Sequence, residues 1–150
     1  MIDKEDFYHG AAIMRLIDYG QPLSFVKYDI GYRVNETTFL YLKYTTKSRS
    51  PWRFTFSQEE LDRLRTLSET HCRVIVAFIC GGDGVCAITA EELFQIGGLD
   101  LRWVSVQRKH RERYAVSGLA GDLGRKVALQ RWPLLVLGQG DVMMEEQVIP

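Results

Sequence analysis

The most constraining feature of this sequence is an uninterrupted apolar run near its middle. Every residue from Val74 to Cys80 is apolar, and several are β-branched or aromatic. Such a run is typical of a strand that is buried on both faces, because the strand keeps no solvent side for polar residues. Its sheet must then be covered on both sides. The run therefore predicts a central sheet flanked by helices.

Helix and strand signals alternate around this run. A first helix is predicted from the N-cap Asp3 to Gly20, and two more begin at the capping boxes Ser57-x-x-Glu60 and Thr89-x-x-Glu92. The predicted strands are 23–34, 38–46, 53–56, 73–80, 85–88, 101–106 and 114–116. The polar links 35–37 and 82–84 indicate two hairpins, and the glycine-rich stretch 118–124 indicates a loop. We expect one α/β domain with a mixed sheet over 1–138, then a C-terminal tail at 139–150.

Composition narrows the class of protein. Nineteen Lys and Arg balance nineteen Asp and Glu, so any surface that attracts a polyanion must be local. No apolar run approaches the roughly 20 residues of a membrane span. The three cysteines cannot all pair with one another, and no zinc-binding pattern surrounds them. We therefore expect reduced thiols, a cytoplasmic location and no membrane partner.

Two neighbouring predicted strands carry a carboxylate and an ammonium. Alternation along the first strand places Asp29 on a polar face with Lys27 and Arg33. On the second strand, Lys43 shares a face with Tyr41, whereas the leucines on either side of Tyr41 point the other way. A strand that buries Leu40 and Leu42 on one face and exposes Lys43 on the other could direct the lysine ammonium into a cleft.

This layout resembles the PD-(D/E)XK, or restriction-endonuclease-like, nuclease superfamily over roughly residues 3–95. In that family an Asp on one strand is followed on the next strand by an acid-x-Lys triplet, and a Glu often comes from the first helix. Asp29 corresponds to the first acid, Lys43 to the lysine, and Glu5 is the best candidate on the helix. The resemblance implies that Asp29 and Glu5 hold Mg²⁺ while Lys43 stabilises the charge developing on the phosphate or positions the water. The implied function is metal-dependent hydrolysis of nucleic-acid phosphodiesters.

The sequence departs from the family pattern at the triplet itself. It reads Tyr41-Leu42-Lys43, so the second acid is missing, and a phenol with an ordinary pKa of about 10 is a poor ligand for Mg²⁺. Glu36 and Asp6 are, with Glu5, the acids that could replace it. An alternative function is a non-catalytic module of the same fold that binds nucleic acid or a protein partner as a scaffold. Without the resemblance, Asp29 and Lys43 are ordinary solvent-facing residues.

Two groups of basic residues are candidates for contacts with a phosphate backbone. The first group is Lys47, Arg49 and Arg53, and the second is Arg108, Lys109 and Arg111. If both lie on the side that presents Lys43, binding of nucleic acid is favoured; otherwise each is a solvated loop. The balanced charge also permits a homo-oligomer, because it provides no self-repulsion between copies.

Overall fold

The computed structural model describes residues 1–70 and 73–138 of the chain. Its helices are α1 (Lys4–Ile17), α2 (Gln58–Ser68), α3 (Ala90–Gly97) and α4 (Arg131–Val136), with a 3₁₀ turn at Gly98–Asp100. Its strands are β1 (Phe25–Tyr28), β2 (Gly31–Val34), β3 (Thr38–Thr45), β4 (Trp52–Thr55), β5 (Arg73–Cys80), β6 (Gly84–Thr89), β7 (Trp103–Gln107), β8 (Ala115–Gly118) and β9 (Gly121–Asp122). None of the helices in these two ranges has the length and apolar character needed to cross a membrane. The predicted tail at 139–150 lies outside the described residues.

The strands form two sheets. The first has the order β1-β2-β3-β5-β6, in which β3 and β5 are parallel and the other pairs are antiparallel. The second is antiparallel, in the order β4-β7-β8-β9. β5 lies between two neighbours and is buried from Val74 to Cys80, as the apolar run predicted. The predicted hairpins β2–β3 and β5–β6 are confirmed.

The first sheet separates two apolar cores. Phe39, Val76 and Phe78 face α2, α3 and the second sheet. Leu40 and Ile79 lie on the opposite face and pack with α1 and α4. Helices therefore flank a mixed sheet, which confirms the expected α/β class, while the second sheet closes one of the two cores. Alternation along β3 and β5 gives each core its side chains, because successive residues of a strand point to opposite faces.

The predicted strand 23–34 is wrong in one respect that matters for the site. It is two antiparallel strands, β1 and β2, and Asp29 lies in the turn between them with a φ of +55°. Asp tolerates this left-handed conformation better than most residues. Cross-strand partners face the same side, and Val26 pairs with Arg33 while Lys27 pairs with Tyr32. The turn thus places Lys27 and Arg33 on opposite faces, not together.

Two smaller predictions also have outcomes. The stretch 118–124 is not only a loop, because Gly121–Asp122 forms β9 and pairs with β8. Cys80 and Cys86 are free and buried, as expected for reduced thiols, and burial raises the pKa of both. Cys72 lies outside the described residues.

Candidate functional site

The start of α2 connects the helix to β3. Ser57 is the N-cap, and its backbone N–H donates to Glu60 Oε1 at 2.8 Å, as the capping box predicted. The other oxygen of the same carboxylate, Oε2, accepts from Lys43 Nζ at 2.5 Å and from the Tyr41 hydroxyl. One glutamate therefore caps its helix and binds two side chains of the neighbouring sheet.

This contact is partly shielded from water. The side chains of Lys43 and Glu60 are 17% and 22% exposed, and the Lys43 ammonium lies 4.6 Å from the centre of the Phe56 ring. Burial opposes ionisation of Glu60, but the hydrogen bonds from Lys43 and Tyr41 outweigh it and lower its pKa. Burial and the hydrogen bond to Glu60 raise the pKa of Tyr41, so its phenol stays protonated and remains a donor. The result is a stable ion pair between Lys43 and Glu60.

Asp29 contacts α2 about one turn after Glu60, at Arg63. Arg63 donates from Nε to Asp29 Oδ1 at 3.1 Å and from Nη2 to Oδ2, which is a bidentate ion pair. These hydrogen bonds lower the pKa of Asp29, whose side chain is 14% exposed. Asp29 and Lys43 thus both face α2, but each carries its own partner.

Glu5 does not join this group. It lies on α1, which packs in the core on the opposite face of the first sheet. Its side chain is 63% exposed, and its ion-pair partner is His9 at 3.9 Å. Within residues 1–70 and 73–138, no hydrogen bond or ion pair joins Glu5 to Asp29 or Lys43. Asp29 is paired with Arg63 instead, and joint metal binding by Asp29 and Glu5 stays a prediction.

The residues around α2 do not fit a magnesium ion as they are arranged. Mg²⁺ requires near-octahedral coordination by oxygen atoms. Among the described residues, no group of three or more His, Cys, Asp or Glu could hold a metal ion. The carboxylates of Asp29 and Glu60 already accept hydrogen bonds from Arg63 and Lys43. The donor set forms two ion pairs and not a metal centre.

A cavity of about 460 Å³ lies elsewhere in the molecule. It is lined by α1, the start of α4 and the turn 81–84, on the face of the first sheet that carries α1. Neither Asp29 nor Lys43 lines it. This hollow is therefore not the cleft that the sequence predicted for the ammonium of Lys43.

The partners Glu60 and Arg63 do not follow from the sequence motifs. The sequence predicts for Glu60 only its place as the last residue of a capping box, and no motif marks Arg63. A signal did exist, because residues three apart on a helix share a face. That face is next to the apolar stripe Leu61, Leu64 and Leu67, which packs on the sheet.

The structure brings the two basic groups together. One group begins in the loop before β4 and the other follows β7, and β4 pairs antiparallel with β7, so both loops lie at the same end of the second sheet. Ser50 Oγ donates to the carbonyl oxygen of Arg108 at 3.1 Å and joins the loops directly. We define the basic surface as the exposed residues Lys47, Arg49, Arg53, Lys109 and Arg111. The basic surface adjoins the end of β3 that carries Lys43. At that end the Thr45 carbonyl accepts a hydrogen bond from the backbone N–H of Gly81, and a Cβ added at Gly81 would overlap the Lys47 carbonyl.

Arg108 has a different role from its neighbours. Its Nε and Nη2 donate to the two carboxylate oxygens of Asp83 at 2.8 and 2.7 Å, and the Tyr114 hydroxyl donates to Asp83 at 2.8 Å. The hydrogen bonds from Arg108 and from Tyr114 lower the pKa of Asp83 although burial opposes them. Arg108 therefore attaches its loop to the turn between β5 and β6. It is half-buried, whereas Lys109 and Arg111 are exposed.

The fold and the site together define the class of molecule. It is an α/β domain with a mixed sheet and an antiparallel sheet, two ion pairs along α2, and a basic surface formed by two joined loops. Comparison with family models, curated proteins and solved structures finds no match for this chain. Its function must therefore be inferred from its own geometry.

Proposed function

We propose that this chain is a restriction-endonuclease-like domain that binds nucleic acid through the basic surface without cleaving it. The observation that carries the proposal is the hydrogen bond from Ser50 to Arg108, which unites two separate basic segments. Phosphate contacts from Lys and Arg supply most of the sequence-independent affinity for nucleic acids. The basic surface offers five such side chains on a chain whose formal net charge is zero.

The acids near this surface support the proposal. Asp83 is neutralised by Arg108, and Glu112 lies 3.4 Å from Lys126. Neither carboxylate therefore faces an incoming phosphate as an uncompensated charge. The exposed cations of the loops dominate the local field, which attracts a polyanion and repels other cations.

The α2 region supports binding without cleavage. Lys43, the residue expected to face a phosphate, donates to Glu60, and Asp29, the expected metal ligand, accepts from Arg63. The Glu60 carboxylate contacts both Tyr41 and Lys43 of the triplet. Metal-dependent hydrolysis by Asp29, Glu5 and Lys43 stays a prediction, and the second test below measures it.

The first test measures binding of a fluorescently labelled 20-nucleotide strand, and of its duplex, against salt concentration. Each phosphate contact contributes about 0.7 to 0.9 to the slope of log K against log salt. The double variant Lys47→Gln/Arg49→Gln is expected to lower that slope by about 1.5 and to weaken binding at low salt. The control Lys4→Gln/Arg15→Gln removes the same charge from α1 and is expected to leave the slope unchanged.

Two outcomes would overturn the binding proposal. One is the absence of wild-type binding at 50 mM salt, and the other is an equal effect of the two double variants, since that would reflect net charge only. Self-association, which the balanced charge permits, is measured on the same samples by sedimentation.

The second test measures cleavage. Wild type, Lys43→Ala and Glu60→Gln are incubated with Mg²⁺ or Mn²⁺ and labelled DNA or RNA. We expect intact substrate with all three proteins while wild-type binding persists. Metal-dependent cleavage by wild type that Lys43→Ala abolishes would overturn the non-catalytic assignment and establish the hydrolase.

A further inference from the structure

The outer face of the second sheet is lined by polar side chains and one aromatic ring. In β4 and β7 the side chains of Trp52, Phe54, Val104 and Val106 point into the core. The residues between them point outward: Arg53, Thr55, Trp103, Ser105 and Gln107. This alternation follows from the strand geometry, and it turns these five side chains away from the core, where they are exposed or half-buried.

Trp103 and Arg53 form a pair on this face. Register places Thr55 opposite Trp103 and Arg53 opposite Ser105, so Arg53 and Trp103 are diagonal neighbours. The guanidinium carbon of Arg53 lies 4.5 Å from the centre of the Trp103 ring. Of the three tryptophans in the chain, Trp52 and Trp132 are 2% exposed, whereas Trp103 is only half-buried.

This pair is continuous with the basic surface. Arg53 belongs to both, and Gln107 directly precedes the loop that carries Lys109 and Arg111. The indole N–H of Trp52, next to Arg53, donates to the carbonyl of Lys47 at 2.9 Å and fixes the other loop to the same sheet. Trp103 begins β7 and the basic loop follows the other end of that strand, so Arg53 is the residue that connects the ring to the basic surface. A strand of nucleic acid that contacts the loops and continues along this face would bring a base to Trp103.

We propose that Arg53 and Trp103 form a stacking platform for an unpaired base, so that the ligand of this domain is a single-stranded nucleic acid. This inference rests on the proposed function and names its substrate class. Bases stack on aromatic rings and on guanidinium planes only when their own faces are accessible, and in a duplex neighbouring base pairs cover those faces. Phosphate contacts alone would not distinguish the two forms.

The test compares one mixed-sequence 20-nucleotide strand with its duplex. Loss of one stacked base weakens single-strand binding by about tenfold, in the range known for aromatic platforms. We expect Trp103→Ala to weaken single-strand binding by about that factor and duplex binding by less than twofold, whereas Trp103→Phe retains most of the affinity. Tyr19→Ala, which removes an exposed aromatic residue after α1, is the matched control and is expected to leave both affinities unchanged.

Tryptophan fluorescence gives an independent readout with native protein. Addition of the single strand is expected to quench wild-type emission, and Trp103→Phe is expected to abolish that quenching. This measurement decides the question even where Trp103→Ala fails to fold.

The outcomes separate the two proposals. If wild type binds neither form, both the proposed function and the platform are overturned. If wild type binds strand and duplex equally, or if Trp103→Ala weakens both equally, the platform is overturned while binding by the basic surface stands. Quenching that persists in Trp103→Phe also overturns the platform.

Discussion

Asp83→Asn tests whether Arg108 positions the basic loops or merely adds charge near them. The substitution preserves the shape of the side chain but places an amide N–H where a carboxylate oxygen now accepts. Asp83 accepts two hydrogen bonds from Arg108 and one from Tyr114, so at least one donor would then face another donor. The loop that carries Arg108 would lose its attachment to the turn between β5 and β6.

The expected size of the effect follows from burial. The side chains of Arg108 and Asp83 are 20% and 21% exposed, so the pair lies between surface ion pairs, at about 0–1 kcal/mol, and buried pairs, whose rupture costs about 3–5 kcal/mol. We expect a loss of about 2 kcal/mol in the free energy of unfolding, measured by urea denaturation. The control is Asp100→Asn, which removes the same charge from a pair with Arg102 whose side chains are 72% and 70% exposed, and which should change stability by less than about 0.5 kcal/mol.

Nucleic-acid binding by Asp83→Asn is the second and more discriminating measurement. Removing an acid next to a basic surface should strengthen binding if charge alone decides affinity. If Arg108 positions the loops, Asp83→Asn should instead weaken binding and flatten its salt dependence, because the exposed cations no longer share one arrangement. Tighter binding by Asp83→Asn than by wild type, or equal stability of the Asp83 and Asp100 variants, would refute the positioning role.

The remaining predictions concern α2 and the glycine beside Lys47. Glu60→Gln should lower the free energy of unfolding by about 1–3 kcal/mol at pH 7, because it removes the charged acceptor of Lys43, and chemical denaturation that shows no change would contradict the ion pair. The pKa values of Glu60 and Asp83 are lower in the folded state than in the unfolded state, so their ionised carboxylates stabilise the fold above about pH 5. This contribution is lost as the pH falls through the folded pKa values. The free energy of unfolding of wild type should therefore decline below pH 5, and that of Glu60→Gln should decline less steeply. Gly81→Ala should destabilise the fold by about 1–3 kcal/mol and weaken nucleic-acid binding, because Gly81 has a φ of +56° and a Cβ there would overlap the Lys47 carbonyl. The control is Gly82→Ala, since the space around a Cβ at Gly82 is open. Equal effects of the two substitutions would refute the explanation.

The sequence predicts the elements of this fold better than their arrangement. The apolar run from Val74 gives the central strand directly, and the capping boxes at Ser57 and Thr89 give two helix starts, because each signal depends on neighbouring residues only. The sequence does not reveal the turn at Asp29, since hydrophobic alternation continues through it, although the turn changes which residues share a face. Nor does the sequence reveal the separate second sheet, because pairing of β4 with β7 joins segments about fifty residues apart and depends on tertiary packing.

The site illustrates a further limit, which is that identical residue types in one segment take different roles. Arg108 and Arg111 are three residues apart in the same charged run, and the sequence predicts phosphate contacts for both. The structure gives the first a bidentate acid from another hairpin and leaves the second exposed. In the same way Lys43 is paired with Glu60, whereas Lys47, in the loop that follows β3, is exposed. Cations paired with acids, such as Lys43 and Arg108, stabilise the fold and add little to the external field. The exposed cations of the basic surface remain to attract a phosphate backbone, which is how a chain with no net charge can present a basic surface.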